Sequence, residues 1–322
     1  MSVAPGLRRG LTTLLGDVPF VYVDCGARSG RIPRPFRSLK HAQYIGIDAD
    51  TEEGARLNAE ARRGHRYLPA VLSRSSGRRT FYVTHNPACA SLLRPNQAFL
   101  DEVPLVAGYF SIDRQFDVDT ISLDACLAGN GVDHVDFLEL DTQGTELELL
   151  EGADDSLRQS VLGIQVEIEF APMYLEQPLF ADVDAFLRSR GFTLYDLSRY
   201  HVSRAAHGAS LATRGQLLWG QALYLRDHRD PDSEALSARL AVVAVLLNLP
   251  DLAALILGPL AQGARGPAVQ HTARAVRDAL VTHASPGYLA RMVDRLKVVR
   301  RPVAGPFLTG SDVRSGLPVW RD

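Results

Sequence analysis

The segment VYVDCGARSG at residues 21–30 constrains the fold more than any other stretch of the chain. From Phe20 to Asp24 the residues are β-branched, aromatic and apolar, the character of a buried strand. That strand ends on an acid and then turns through glycines spaced as G-x-x-x-G, at Gly26 and Gly30. Glycines at a strand-to-helix turn let backbone approach a ligand and accept dihedrals closed to other residues. A dinucleotide pyrophosphate asks for G-x-G-x-x-G, and Arg28 stands where the second glycine is needed. The spacing therefore suits a plain tight turn, or a nucleoside cofactor without phosphate such as S-adenosylmethionine. The amino-acid end of that cofactor is met by an acid and backbone groups.

The rest of the chain to Asp230 repeats this alternation. Tyr44–Asp48 reads as a second strand ending on an acid, the position from which a carboxylate accepts ribose hydroxyls in nucleoside-binding sheets. Asp50 competes for that role, or caps the helix expected over Thr51–Arg62. Tyr67–Leu72 reads as a third strand and Thr80–Thr84 as an edge piece. Residues Asn86 to Asp113, with Pro87, Pro95 and Pro104, read as an irregular insertion on the substrate side. A helix at Ser122–Leu127, strands at Val135–Leu140 and Gly163–Phe170, and a helix at Asp182–Arg190 follow. The strands Phe192–Leu197 and Gln221–Leu225 have no helix between them, which gives the sheet an antiparallel end. Strand–helix alternation of this kind makes an open, mostly parallel α/β sheet.

After Asp230 the strand signals stop. Ala/Leu/Val periodicity over Ser233–Leu249, Asp251–Leu260, Pro267–Val281 and Pro286–Val299 predicts helices, and the tail from Arg300 is proline-rich. The expected organisation is a sheet domain over residues 1–229 and a helical extension with its tail over 230–322. The extension is apolar enough for a homodimer contact or for packing on the sheet domain.

Charge and cysteine usage narrow the function classes. A net charge of −2 and a pI near 6.5 give no field that draws nucleic acid or an anionic membrane. Cys25, Cys89 and Cys126 contain no C-x-x-C pair, so neither a zinc site nor a disulfide framework is indicated. Residues 1–16 carry no apolar core of a secretory signal. Leu240–Leu260 is broken by Asn248, Pro250 and Asp251, short of the about 20 unbroken apolar residues of a membrane span. A cytoplasmic protein with a small-molecule partner is expected, with no nucleic acid and no membrane.

The second informative block is DFLELDTQGTE at residues 136–146, where a buried strand delivers Asp141 to the carboxyl edge of the sheet. The next strand reads VEIEF at 166–170 and places Glu167 and Glu169 on one face. Two like-facing carboxylates buried without partners are costly. They call for a partner, a metal, or exposure at the strand end.

Together these pieces resemble the FkbM-type methyltransferases, in particular a subgroup with an Asp-Thr-Gln-Gly-x-Glu-Leu motif. The matching segments are VDCGA at 23–27 with Gly30, NPACASLL at 86–93, ISLD at 121–124, DTQGTEL at 141–147, LEG at 150–152 and EIE at 167–169. They span about residues 20–227. The resemblance implies a Rossmann-like class I methyltransferase sheet, S-adenosylmethionine as donor, and O-methylation of a sugar or small natural product. By position it implies Asp24, Gly26, Ala27 and Gly30 at the methionine end, Asp48 at the ribose, and Asp141 near the sulfonium and acceptor. Glu139 stands where relatives commonly carry Lys, and Arg28 where they carry Asn.

A hydroxyl is a poor nucleophile while protonated, so such an enzyme needs a base or a metal. The candidates are Asp141, Glu167, Glu169 and then His85, which lies in the insertion and is otherwise a solvated loop histidine. Carboxylates at one sheet edge have the oxygen chemistry of a Mg²⁺ site, but no metal is predicted. Ser91, Arg94 and Asn96 are candidates for binding a polyhydroxylated acceptor, or else they cap and turn the loop. Two rival classes remain: a non-catalytic nucleoside-binding or scaffolding module, and an NAD-dependent oxidoreductase.

Overall fold

The computed structural model describes residues 5–28, 30, 32–37, 39, 41–204, 214–229, 233–263 and 267–283. The helix expected over Pro286–Val299, the tail from Arg300 and residues 230–232 of the linker lie outside the described residues. The strands are β1 (Val21–Cys25), β2 (Gln43–Asp48), β3 (His65–Pro69), β4 (Val71–Leu72), β5 (Gly77–Thr84), β6 (Ile112–Ile121), β7 (Phe137–Leu140), β8 (Gly163–Glu169), β9 (Phe192–Leu197), β10 (Tyr200–Val202) and β11 (Gln216–Arg226). Eight of them form one sheet in the order β10-β11-β8-β7-β1-β2-β3, with β9 also paired to β11. The β1/β7, β7/β8 and β2/β3 pairs are parallel, whereas β11 runs antiparallel to β8 and β10 antiparallel to β11. This is the expected Rossmann-like sheet with its antiparallel end. All five residues of β1 are buried, as a central strand covered on both faces requires. Because β1 has β2 on one side and β7 on the other, the chain reverses direction across it. That switch point is where open α/β sheets bind ligands.

The helices are α1 (Pro5–Leu15), α2 (Arg34–Arg37), α3 (Thr51–Ala59), α4 (Gln97–Leu100), α5 (Pro104–Ala107), α6 (Leu123–Gly129), α7 (Glu146–Glu151), α8 (Asp154–Gln159), α9 (Phe180–Ser189), α10 (Glu234–Leu246), α11 (Pro250–Leu260) and α12 (Pro267–His283). Side-chain caps start several of them: Asp50 accepts from the Glu53 amide, Ser122 from Ala125 and Ser233 from Leu236. Among the described residues no helix is long and apolar enough to cross a membrane.

Three expectations need correction. The strand predicted over Tyr67–Leu72 breaks after Pro69: β3 joins the main sheet, while β4 pairs with β6 in a separate three-stranded sheet, β4-β6-β5. The long strand β6 was not predicted at all. Most of its residues are exposed, so it shows no apolar signal, and it exists through its antiparallel register with β5. The insertion from Asn86 to Asp113 also contains the short helices α4 and α5 and two single 3-10 turns.

The chain divides into two compact units. The first takes in residues up to Val21, Ile32–Gln43 and the described residues from Arg226 onward; the second takes in Tyr22–Arg31 and Tyr44–Leu225. In the first unit α1 packs with α10 and α12, and α11 lies against α10 and α12. A Cβ on Gly10 would stand 2.6 Å from Val276 Cγ2, so α1 and α12 approach closely there. Arg239, buried on α10, donates from Nη1 to the carbonyls of Leu15 (3.2 Å) and Val18 (3.1 Å) and from Nη2 to that of Pro19 (2.8 Å). It thereby serves the last carbonyl of α1, that of Leu15, and two carbonyls of the segment that follows.

Candidate active site

All the residues of the candidate site belong to the second unit. Its first part is the turn after β1. The amides of Gly26 and Ala27 both donate to the Ile47 carbonyl (2.9 and 3.2 Å), and the Asp141 amide donates to the Cys25 carbonyl (3.0 Å). These bonds tie together the carboxyl ends of β1, β2 and β7. Gly26 has φ +96°, and a Cβ there would stand 2.0 Å from the Asp141 carbonyl oxygen, so only glycine permits the approach.

Asp24, next to the end of β1, is 7% exposed and accepts a hydrogen bond from the Tyr44 hydroxyl. Its register partner on β7 is Glu139, which accepts from the Tyr22 hydroxyl. The two tyrosine rings stack at 5.8 Å. Burial holds the Asp24 carboxyl well above the usual range, and the charge of Glu139 adds to this, while the Tyr44 bond opposes it. Burial likewise pushes Glu139 up to about 7, with the Tyr22 bond opposing and Asp141 adding. No cation pairs with either acid among the described residues. Asp48 ends β2, and its Oδ1 accepts from the Asp50 amide (2.8 Å). Asp50 is engaged twice, capping α3 and pairing with Arg28 at 3.2 Å.

The second part lies at the ends of β7 and β8. Gln143 has φ +61°, an uncommon conformation for a side-chain-bearing residue in a turn. Its Nε2 donates to Asp141 Oδ1 and to Glu167 Oε2, both at 2.8 Å. Its Oε1 accepts from the Tyr174 hydroxyl (3.2 Å), and its carbonyl accepts from the Ser91 hydroxyl (2.8 Å). Glu146 Oε1 folds back over its own turn, accepting from the Thr142 amide (2.7 Å), the Thr142 hydroxyl (3.2 Å) and the Gly144 amide (3.3 Å).

Carboxylate oxygens of Glu146, Glu167 and Glu169 lie within 4.8 Å of one another. Two unit charges at that spacing repel by about 3.5 kcal/mol at an effective dielectric of ~20. Burial pushes Glu146 up to about 7, with its Thr142 bonds opposing. Burial also raises Glu167 and Glu169 well above the carboxylate range, with Asp141 adding most to the first and Glu146 to the second.

The structure therefore gathers Asp24, Gly26, Ala27 and Asp141 at one edge and joins Asp141 to Glu167 through Gln143, with Glu169 beside Glu167. Gly30 (φ +58°) closes the turn, its amide donating to the Ala27 carbonyl (3.0 Å). His85 is not in hydrogen-bonding contact with these acids: its ring is 73% exposed, with Nδ1 3.8 Å from Asp113. Ser91 is buried, and its hydroxyl is committed to Gln143 and to the Leu93 amide. Asn96 caps α4 and donates to the Pro172 carbonyl (2.9 Å). The Arg94 side chain is exposed. Sequence reasoning did not single out Gln143, Glu146, Tyr174 or Gln177. The Gln-Gly pair two residues after a strand-end acid was the available signal for the first two, since it marks a turn with positive φ. Tyr174 and Gln177 follow no motif.

Residues 24–194, more than half of the chain, match the methyltransferase FkbM domain. No curated protein matches the chain. Among solved structures, it is similar to methyltransferase FkbM from Methylobacillus flagellatus KT (15% identity, TM-score 0.37), over 65% of this chain and 45% of that one. It is also similar to the magnesium protoporphyrin IX methyltransferase ChlM of Synechocystis PCC 6803, solved with bound SAM (10% identity, TM-score 0.34, 69% and 80% covered). A third is the TehB-like SAM-dependent methyltransferase of Corynebacterium glutamicum (12% identity, TM-score 0.32, 69% and 88% covered). The chain thus spans under half the length of the Methylobacillus protein. The domain match, together with strand-end acids gathered at the switch point of a Rossmann-like sheet, makes this chain a member of the FkbM methyltransferase family.

Proposed function

We propose that the chain moves a methyl group from S-adenosylmethionine to a hydroxyl of a sugar or small natural product. The observation that carries this reading is the delivery of Asp24, Asp48 and Asp141 to the carboxyl ends of β1, β2 and β7 on both sides of the switch point. The residues fit the donor. Asp24 is a buried carboxyl with no cationic partner among the described residues, the environment that a cationic amino-acid end would complete. The Gly26 turn brings backbone close to it, and Asp48 is assigned the ribose hydroxyls. When bound, the donor supplies an activated methyl and leaves as S-adenosylhomocysteine.

The chain's own work is positioning and proton handling. Methyl transfer is an in-line displacement, and positioning supplies much of its rate. As the new C–O bond forms, the hydroxyl proton must leave, and Asp141 is assigned as its acceptor. Gln143 fixes the Asp141 carboxylate by a 2.8 Å bond and is itself held by Tyr174 and Ser91. Ser91 and Asn96 hold the acceptor-side loop in shape, and exposed Arg94 is a side chain of the insertion available to a polyhydroxylated acceptor.

The test is transfer of labelled methyl from S-adenosylmethionine to a panel of hydroxylated small molecules, wild type beside Asp141→Asn. Label bound to oxygen, with turnover reduced by about 100-fold or more in the variant, is the expected result. Label on nitrogen or carbon, or full turnover by Asp141→Asn, contradicts the assignment.

A further inference from the structure

Glu146, Glu167 and Glu169 face one another across the β7–α7 turn and the end of β8, and their charge is unanswered. Among the described residues no arginine, lysine or histidine pairs with any of the three, although arginines pair with nearby acids such as Glu148 and Glu151. A second observation points to a missing partner. Gln177 is 8% exposed, its Oε1 accepts from the Tyr174 amide (3.1 Å), and its Nε2 has no hydrogen-bond partner. That Nε2 is directed at Gly144, where a Cβ would stand only 2.8 Å from it, and the Gly144 amide in turn holds Glu146. A buried amide donor left open against the turn that carries Glu146 asks for an oxygen that the protein does not supply.

We propose that Glu146, Glu167 and Glu169 bind one divalent, oxygen-preferring cation, with Gln177 Nε2 donating to a water held on it. The spacing suits such an ion. Oxygen ligands at about 2.1 Å from Mg²⁺ in octahedral geometry stand roughly 3–4.2 Å apart, and those around Ca²⁺ at about 2.4 Å reach roughly 4.8 Å. All three ligand atoms already fall within that limit, at 4.8 Å. A site of carboxylates and water favours Mg²⁺, Mn²⁺ or Ca²⁺ over softer metals. Gln143 bridges Glu167 to Asp141, so the ion would lie one side chain away from the assigned base. Its use in polarising an acceptor hydroxyl rests on the methyl-transfer reading above; the site itself does not.

The experiment titrates Mn²⁺ into the chelator-stripped full chain and follows the free ion by paramagnetic resonance, without donor or acceptor. Wild type is expected to take up one Mn²⁺ per chain, displaceable by Mg²⁺. Glu167→Gln and Glu169→Gln each weaken uptake by more than about 10-fold, and Gln177→Leu by about 10-fold through loss of the outer hydrogen bond. Glu148→Gln, an acid on α7 outside the trio, leaves it unchanged. In metal-free buffer the two Gln variants melt no lower than wild type, because each keeps the side chain's size and removes a buried acid, so lost uptake reads as a lost ligand. No uptake by wild type at millimolar Mn²⁺, or uptake that survives both Glu→Gln changes, overturns the proposal and leaves the donor reading standing.

Discussion

Replacing Glu139 by glutamine removes a titrating group from the middle of the sheet and keeps its shape and its acceptor for Tyr22. In the folded protein this carboxyl titrates at about 7, against an ordinary value of 4.5, chiefly because it is buried. The protonated form is therefore the one the fold prefers. Its contribution to stability is complete below the ordinary value and is lost as pH rises through about 7. The rise from 4.5 to about 7 corresponds to about 3 kcal/mol. Asp24 adds to the total, because Glu139 is the charge that adds most to its raised pKa, so wild type holds Asp24 protonated to higher pH than the variant does. Wild type should thus lose at least roughly 2–3 kcal/mol relative to Glu139→Gln between about pH 5 and pH 8. Urea unfolding midpoints of the two proteins, measured across that range, check it. Unfolding curves that shift in parallel with pH would refute the reasoning, since they would mean that Glu139 titrates alike in the folded and unfolded chain.

Further substitutions at Gly26 and Arg239 probe the frame of the site and, separately, the first unit. Gly26→Ala forces a side chain into φ +96° with a Cβ 2.0 Å from the Asp141 carbonyl, and should cost about 3 kcal/mol or more while abolishing binding of the donor. Thermal melting and a binding titration read the two effects separately, and an unchanged melting temperature would speak against the close approach. Arg239→Ala leaves the carbonyls of Leu15, Val18 and Pro19 without their donor, a loss of about 3 kcal/mol read by chemical denaturation. Arg239→Lys should restore only part of it, because a point charge cannot serve three carbonyls in a fork.

The parts of the fold legible in the sequence are those whose residues bury. β1, β2, β7 and β8 are short apolar runs closed by an acid or a glycine turn, and their mostly parallel direction followed from the alternation with helices, whereas their order in the sheet did not. The absence of a helix between Phe192–Leu197 and Gln221–Leu225 likewise announced the antiparallel end. β6 was illegible because its side chains point mostly to solvent and its strand character comes from β5, a partner some 30 residues away that no local pattern reports. α1 escaped notice for a related reason: its packing partners α10 and α12 are more than 200 residues distant in the chain. At the site, the acids at strand ends were readable because parallel sheets put ligands there. Asn96 and Ser91 show the opposite case. A loop asparagine and serine look alike whether they meet a substrate or cap a turn, and only their hydrogen bonds to Pro172 and Gln143 reveal the role. Gln143 and Glu146 sat inside a recognised motif but were passed over, since the fold-back of Glu146 onto Thr142 and Gly144 depends on a positive-φ turn visible only in three dimensions.

The central claim is a nucleoside-type donor site at the β1–β2–β7 edge. Calorimetric titration of the full chain with S-adenosylmethionine, S-adenosylhomocysteine and NAD, wild type beside Asp48→Ala, tests it most directly. Micromolar binding of both adenosyl ligands, loss of that binding in Asp48→Ala, and no heat from NAD are expected. Binding of NAD alone, or adenosyl binding that is indifferent to Asp48, would contradict it.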